Sequence, residues 1–560
     1  MKRFNSALFL ASAASMALAT AASAQTPPGP NDGDPYLHGA GATAVQEVVW
    51  QEQDCLDTSI AARPCPVPGS PLLAGFASNY LPTGSGAGRQ AWRNITPQLT
   101  TFGSPYNTWD TVQFAFSESS TSASELTQYN TNVGPYGLKP IQVPKFVLPV
   151  AIAYNPVYAT QGGNQYRFQV NSSFPASTTQ INGTPVGGLR LPRPAYCGIF
   201  NGTITNWNNA TLQTANGGVS LGDPADASWS SVGAPIRLVG RMDRSGTTDI
   251  FTRALAAHCS GGGIYLTNAE ALPYNRGGAV PNFSSVRADT PYSPTSTAPL
   301  AGTTNMIGNQ YYNVSTGTIL SVPGGLASNP ASGASGTGRY LMADGSGAVA
   351  AAIAAAPDIG TTRVVNGKVG YIGADFIANA ATGNPNLFAA ALSRPSAPTT
   401  FDLPSAAAAS TAIGTILPPE SNSTGAFANY PSSPSRSNPL DWVPNLAGST
   451  SGYPITGTTQ MLLHTCYKPT NLPYIKGWLG YNVGAPTDVF TNSTTGLLTQ
   501  SNIGALPAPW QRAVTQTFLT NSTEVSNGQT LGALNLWLAA GGSNHCASVG
   551  ILPGETQQGL

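Results

Sequence analysis

The most strand-like run in the chain is Ile141–Asn155, whose centre, Phe146 to Ala153, is apolar almost without interruption. Runs of this kind read as strands buried on both faces. Val112–Glu118 alternates with a period of two and ends on a carboxylate. Pro235–Val239, Lys368–Ile372 and Tyr453–His464 also have strand character. Ile250, Phe251, Ala254 and Leu255 recur at helical spacing, and Val45, Val48 and Val49 share one side of another helix. Shorter helices are expected over Leu191–Phe200, Trp207–Leu212 and Ala348–Ala356, and near Trp510–Leu519 and Leu531–Leu538. Residues 51–75, with two cysteines and many prolines, read as a stapled loop, and tracts at about 260–338 and 380–450 are dominated by small and polar residues. The recurring order is strand, loop, helix.

One such loop carries chemistry. Arg241-Met242-Asp243-Arg244-Ser245-Gly246-Thr247-Thr248-Asp249 runs straight into the helix containing Ile250 and Phe251. Ser and Thr are good N-caps, Gly lets a backbone approach a ligand, and the first amides of a helix have no partner inside it. Such an end attracts anions, and a guanidinium four residues upstream of Ser245 adds a two-pronged grip on a tetrahedral oxyanion. Arg241 is the candidate for that grip. The alternative is an ordinary capped helix preceded by two exposed arginines. Two further loops of small residues, Leu37–Thr43 and Asn79–Gly88, have the same style, although each alone is a weak signal.

Length and composition narrow the setting. At 560 residues the chain exceeds what one core usually supports, so two lobes are expected. A net charge of +0 with only 9% charged residues excludes the electrostatic footprint of a nucleic-acid partner and leaves no basic arm for a membrane surface. Lys2 and Arg3, an apolar run from Ala7 to Leu18, and Ala22-Ser23-Ala24 before Gln25 have the plan of a secretory signal peptide over residues 1–24, with no lipid-anchor cysteine at Gln25. Six cysteines fit an oxidising compartment. Cys55 with Cys65 follows from proximity, and Cys197 with Cys259 and Cys466 with Cys546 are the remaining pairs considered. A metal cluster is disfavoured, because no C-x-x-C occurs and His38, His258, His464 and His545 are scattered. No cofactor is expected.

Taken in order, several short motifs resemble the PstS family, the exported phosphate-binding proteins of phosphate ABC transporters. They are Gly39-Ala40-Gly41-Ala42-Thr43, Gly84-Ser85, Phe114–Glu118, Ile204-Thr205-Asn206-Trp207, Arg241–Thr248, Gly370-Tyr371-Ile372, Tyr453-Pro454-Ile455-Thr456 and Ala505-Leu506-Pro507. The resemblance implies an α/β, two-lobed periplasmic-binding-protein fold (type II-like), with the ligand cleft between lobes joined by two crossing strands. The crossings are expected near Phe146 and Ile455. The first lobe would then comprise 33–145 and 456–560, and the second 146–455, with long insertions at about 260–338 and 380–450. Shorter insertions are expected at 51–75, 157–188 and 470–500.

Carried over by position, Thr43 and the amide of Ala44 would contact phosphate first, and Ser85 second. Arg241, Ser245, Gly246 and Thr247 would grip it, with Asp243 orienting the arginine. Glu118 stands where the family uses an Asp to accept the proton of hydrogen phosphate, a group that leaves sulfate unmatched. Its side chain is one methylene longer. Arg244 replaces a small residue. The implied partners are inorganic phosphate and an inner-membrane ABC permease, in the periplasm or outside the cell. Two other readings stay open: a secreted PstS-like phosphatase, and a surface or structural protein on the same scaffold.

Overall fold

The computed structural model describes residues 36–56, 73, 76–94, 112–174, 176–181, 184–201, 204–241, 245–259, 340–343, 345–355, 361–378, 386–414, 416–419, 435–467, 469–481, 483, 496–526, 529–540 and 546. The tract 260–338, the signal-like segment 1–24, Cys65, Asp243, Arg244 and His545 lie outside them.

Eight strands carry the architecture: β1 (Tyr36–Gly41), β2 (Ala77–Leu81), β3 (Phe114–Ser117), β4 (Pro140–Tyr154), β5 (Arg237–Arg241), β6 (Tyr340–Ala343), β7 (Lys368–Gly373) and β8 (Thr456–His464). They line up in the order β6-β5-β7-β4-β8-β3-β1-β2, with a short strand, Phe388–Ala389, also paired to β4. At one end β1 is parallel to β2 and β3, and at the other β5 is parallel to β6 and β7. The long strand β4 joins the two ends. Its residues Pro140–Pro149 pair antiparallel with β8, and Val150–Tyr154 pair antiparallel with β7. Two α/β lobes therefore share β4, and the β8 segment entering at Ile455 provides the second crossing, with the amide of Val150 donating to the Ile455 carbonyl at 2.8 Å.

Helices pack on both halves: α1 (Gln46–Leu56), α2 (Ser85–Asn94), α3 (Ala123–Asn132), α4 (Arg193–Asn201), α5 (Gly246–Cys259) and α6 (Gly345–Ala354). The first half is centred on Phe114, Phe116, Phe146 and Trp478, which pack edge to face or tilted at centroid distances of 4.8 to 5.9 Å. A register irregularity between Thr459 and Gln460 leaves Lys145 as the extra residue of β4. Its Nζ lies 3.1 Å from Glu52 Oε2, which also accepts from the Trp478 indole at 2.7 Å. Both ionic side chains are fully buried, and this pairing is what makes their burial tolerable.

Several elements differ from the sequence reading. Residues 51–56 belong to α1 and not to a loop, because Leu56 continues the buried face begun by Val45, Val48 and Val49. β3 is buried at all four positions, since neighbours cover both of its faces. The tract 380–450 is not mere decoration. It contains the strands Ala391–Arg394 and Ala397–Asp402, the helix Ala406–Ile413 and the buried Trp442. The expected helix over 531–538 is a single 3₁₀ turn, Leu531–Leu534, because Asn535 takes the left-handed conformation at φ 54° and ends it. Within the expected insertions 157–188 and 470–500 lie a hairpin (Val157–Gln161 with Asn164–Arg167) and the helix Leu472–Tyr481.

Disulfides join Cys197 to Cys259 and Cys466 to Cys546. The first ties α4 to the C-terminal end of α5. Cys55 is also disulfide-bonded.

Candidate functional site

The loops leaving the C-terminal ends of β1, β3, β5 and β7 converge between the two halves, which is where open α/β sheets place their ligands. Small residues let them approach. Gly41 has φ +136°, and a Cβ there would stand 2.0 Å from the Phe116 carbonyl oxygen, while a Cβ on Gly88 would stand 2.5 Å from the Gly41 Cα. Thr43 follows in the turn into α1, and Ser85 is the first residue of α2. Arg89, one turn further along α2 and fully buried, donates to Ser117 at 2.9 Å, fixing α2 against the end of β3 where Glu118 emerges.

From the other half, β5 delivers Arg241 and α5 begins at Gly246. The Arg241 guanidinium, in a residue 2% exposed, donates through Nη2 to Thr43 Oγ1 at 2.8 Å. Through Nη1 it donates to Ser346 Oγ at 2.9 Å and Thr247 Oγ1 at 3.3 Å. Ser245 caps α5, its hydroxyl oxygen accepting from the Thr248 amide at 3.2 Å, which leaves its O–H to donate elsewhere. The Gly246 amide points at Ser85 Oγ, 3.3 Å away. Ser85 in turn donates to Glu118 Oε2 at 2.7 Å. A Cβ on Gly246 would stand 2.5 Å from Ser85 Oγ and 2.6 Å from Glu118 Oε2, so no larger residue fits this position.

Thr43, Ser85, Glu118, Arg241, Ser245, Gly246 and Thr247 thus come together in one buried site. Ala44 is buried beside them, with its carbonyl facing Gly373 of β7. The proposed arginine-orienting Asp243 lies outside the described residues. A buried guanidinium, several hydroxyls that can donate and the first amides of a helix are the donor types that hold an anion, and Glu118 adds a carboxylate that can accept a proton.

Two residues are new. Ser346, at the start of α6, accepts from Arg241 and stands 3.2 Å from Thr43 Oγ1, while its amide donates to the same oxygen at 3.1 Å. Gly345-Ser346-Gly347 is another loop of small residues feeding a helix, with Gly345 at φ +78°, and that pattern was the available signal. Asp375 is fully buried at the start of a short helix after β7. Burial, and then the charges of Glu47 and Glu118, push its carboxyl well above the usual carboxylate range despite nearby backbone amides. No sequence pattern marks it. Tyr80, whose hydroxyl donates to the Ala42 carbonyl at 2.5 Å, is likewise pushed up by burial and by Glu118. Among the described residues no group of three His, Cys, Asp or Glu is placed to hold a metal ion, and no helix is long and apolar enough to cross a membrane.

Comparison with known proteins agrees with this architecture. Alkaline phosphatase L from Pseudomonas aeruginosa is 25% identical over 464 residues, spanning 81% of this chain and 86% of that protein. A protein named phosphate-binding protein, from an unknown prokaryotic organism, is 26% identical over 476 residues, covering 82% of this chain and 92% of its own length. The crystal structure of DING protein is alike in fold, with a TM-score of 0.51 at 23% identity over 90% of this chain and 98% of that one. Residues 24–482 match the PBP superfamily domain, and the chain belongs to the PBP superfamily.

Proposed function

We propose that this chain is an exported phosphate-binding protein that captures inorganic phosphate between its lobes and hands it to an ABC permease. The observation that carries the reading is the Arg241 guanidinium buried among the hydroxyls of Thr43, Thr247 and Ser346, with the Gly246 amide and the Glu118 carboxylate meeting at Ser85, the first residue of α2. Donors of this kind bind any tetrahedral oxyanion. Glu118 narrows the choice to one that carries a proton, because a bare dianion would leave a buried acceptor unmatched. The relative named phosphate-binding protein supports the same ligand. Export rests on the N-terminal pattern of Lys2, Arg3, the apolar run and Ala22-Ser23-Ala24. In this reading the lobes comprise about 33–145 with 456–560, and 146–455, and Asp243 orients Arg241.

The test is calorimetric titration of the mature protein, stripped of anion by partial unfolding and refolding, with phosphate and then sulfate. Tight phosphate binding, rejection of sulfate and loss of binding in Arg241→Ala are expected. Glu118→Gln should lose most of the discrimination. Failure of phosphate to bind the native chain would sink the reading.

A second reading, phosphomonoester hydrolysis, is favoured by the Ser85 hydroxyl donating to Glu118 at 2.7 Å, a pairing of hydroxyl and carboxylate that could activate a nucleophile. The Pseudomonas aeruginosa relative's name points the same way. Steady release of phosphate from a monoester, abolished by Ser85→Ala, would establish it.

A further inference from the structure

Glu118 is held by a buried network that starts one turn beyond Ser85 on α2. Arg89 is fully buried there. Its Nε donates to Glu125 Oε1 at 3.1 Å, and its Nη1 donates to Ser117 Oγ at 2.9 Å. Glu125 is itself fixed, since the same oxygen accepts from Arg93 at 3.1 Å and its second oxygen accepts from the Ser122 amide at 2.8 Å in the capping box of α3. A planar guanidinium anchored through one nitrogen aims the others in fixed directions. One of them meets the Ser117 hydroxyl.

Ser117 converts this anchoring into the conformation of the next two residues. Its oxygen accepts from Arg89 and, at 3.2 Å, from the Ser119 amide, and its proton goes to the Ser119 carbonyl at 2.7 Å. Both lone pairs and the one O–H are then spent. A guanidinium can only donate, so Arg89 also dictates that the hydroxyl proton turns towards Ser119. Glu118 is the residue enclosed by this clamp. Its amide donates to Ser85 Oγ at 3.3 Å and its Oε2 accepts the Ser85 O–H at 2.7 Å. Ser85 and Arg89 stand one turn apart on the same face of α2, so the network leaves the helix at Arg89 and returns to it at Ser85. A glutamate side chain gives up much rotamer freedom when it is fixed, and its aim therefore depends on contacts of this kind.

We propose that Arg89 is a positioning residue that sets the anion specificity: through Ser117 it fixes the turn that aims the Glu118 carboxylate, and with it the preference for a tetrahedral oxyanion that carries a proton. The guanidinium of the anion site belongs to a separate set of contacts, those of Arg241 with Thr43, Thr247 and Ser346. The proposal rests on the phosphate-binding reading and on the part Glu118 plays in it.

The experiment is calorimetric titration of the stripped mature chain with phosphate and with sulfate, in the native protein, Arg89→Lys, Ser117→Ala, Glu118→Gln and the double variant Ser117→Ala with Glu118→Gln. Sulfate too weak for direct titration is read as the concentration that displaces phosphate. Lysine lacks the fork that reaches Ser117 and Glu125 together, and alanine removes the clamp alone. In Arg89→Lys and in Ser117→Ala the ratio of phosphate to sulfate affinity should fall at least about tenfold, mainly through weaker phosphate binding. In the Glu118→Gln background, where the acceptor is already gone, Ser117→Ala should move the ratio by no more than about twofold. Should Arg89→Lys fail to fold, Ser117→Ala and the double variant decide. An unchanged ratio, with both anions weakened or neither, overturns the proposal, as does an undiminished fall of the ratio in the Glu118→Gln background. A native chain that binds both anions alike also overturns it, because there is then no preference to set. If phosphate fails to bind the native chain, the phosphate-binding reading is what has failed.

Discussion

Arg241 Nη2 donates to Thr43 Oγ1 at 2.8 Å, joining two residues 198 positions apart, one ending β5 and the other in the turn after β1, from opposite halves of the sheet. Ser346 braces the same contact, bonding to both. Removing its hydroxyl leaves one guanidinium N–H short of an acceptor in a buried setting, a loss of about 1 to 3 kcal/mol. Ser346→Ala is therefore expected to weaken phosphate binding by about tenfold or more, with Ser346→Thr retaining more affinity than Ser346→Ala. Calorimetry of both variants checks this. Equal affinity in native chain and Ser346→Ala would remove Ser346 from the site.

Gly246 marks the closest approach of α5 to Ser85 and Glu118. A methyl group placed there collides with Ser85 Oγ, with Glu118 Oε2 and, at 2.8 Å, with the Glu118 Cβ, which cannot swing away as a side-chain end can. Gly246→Ala should hold the halves apart, abolishing tight anion binding while the thermal unfolding midpoint measured without ligand changes little. Small-angle scattering of the variant with phosphate should show the more open form. A variant that binds phosphate normally would show that the site tolerates a wider gap.

Asp375 should make stability fall as pH rises. Its folded pKa lies above the unfolded value of about 3.9, so in the folded state it resists losing a proton that the unfolded chain releases freely. Below that unfolded value there is no penalty. Above it the penalty grows by up to about 1.4 kcal/mol per pH unit until the folded pKa is reached. Asp375→Asn removes this titration. Urea unfolding at pH 4 and pH 7 should show the variant gaining on the native chain at the higher pH, and an equal difference at both would refute it.

Three buried histidines act in the opposite direction. Burial lowers His38 to about 3, burial, then Arg193, lowers His258 to about 4, and burial lowers His464, whose ring nitrogen meets the Tyr129 hydroxyl at 2.6 Å, to about 3. All three stay neutral when folded, whereas the unfolded chain takes up protons below a pKa of about 6.5. Stability should fall as pH drops below that value, by about 1.4 kcal/mol per pH unit for each histidine. Between pH 6.5 and 5 the slope in urea midpoint should fall by roughly a third in His464→Gln. An unchanged slope would show that other groups carry the acid sensitivity.

Much of this was legible in the order of residues. The apolar run 141–155 reads as a strand covered on both faces, and it is the strand that the two halves share. Ser245-Gly246-Thr247 before a helical pattern reads as the start of a helix, and Arg241 stands one short loop upstream. Local rules of spacing and capping determined these features, because their physics extends over a few neighbouring positions.

What the tertiary structure alone decided is set by long-range packing. Leu531–Leu538 has helical apolar spacing, yet it becomes one turn and a bend ended by a left-handed Asn535. The low-complexity tract 380–450 contributes Trp442 to the core, since its few apolar residues suffice where a surface is ready to receive them. Ser346 joins Arg241 across 105 residues, and the Asp375 carboxyl is pushed upward by burial and by Glu47 and Glu118, which lie hundreds of positions earlier. Neighbours of that kind are brought together only by the parallel strand ends that converge between the lobes. Composition and spacing showed that an anion could be held, and the fold determined which hydroxyls and carboxylates surround it.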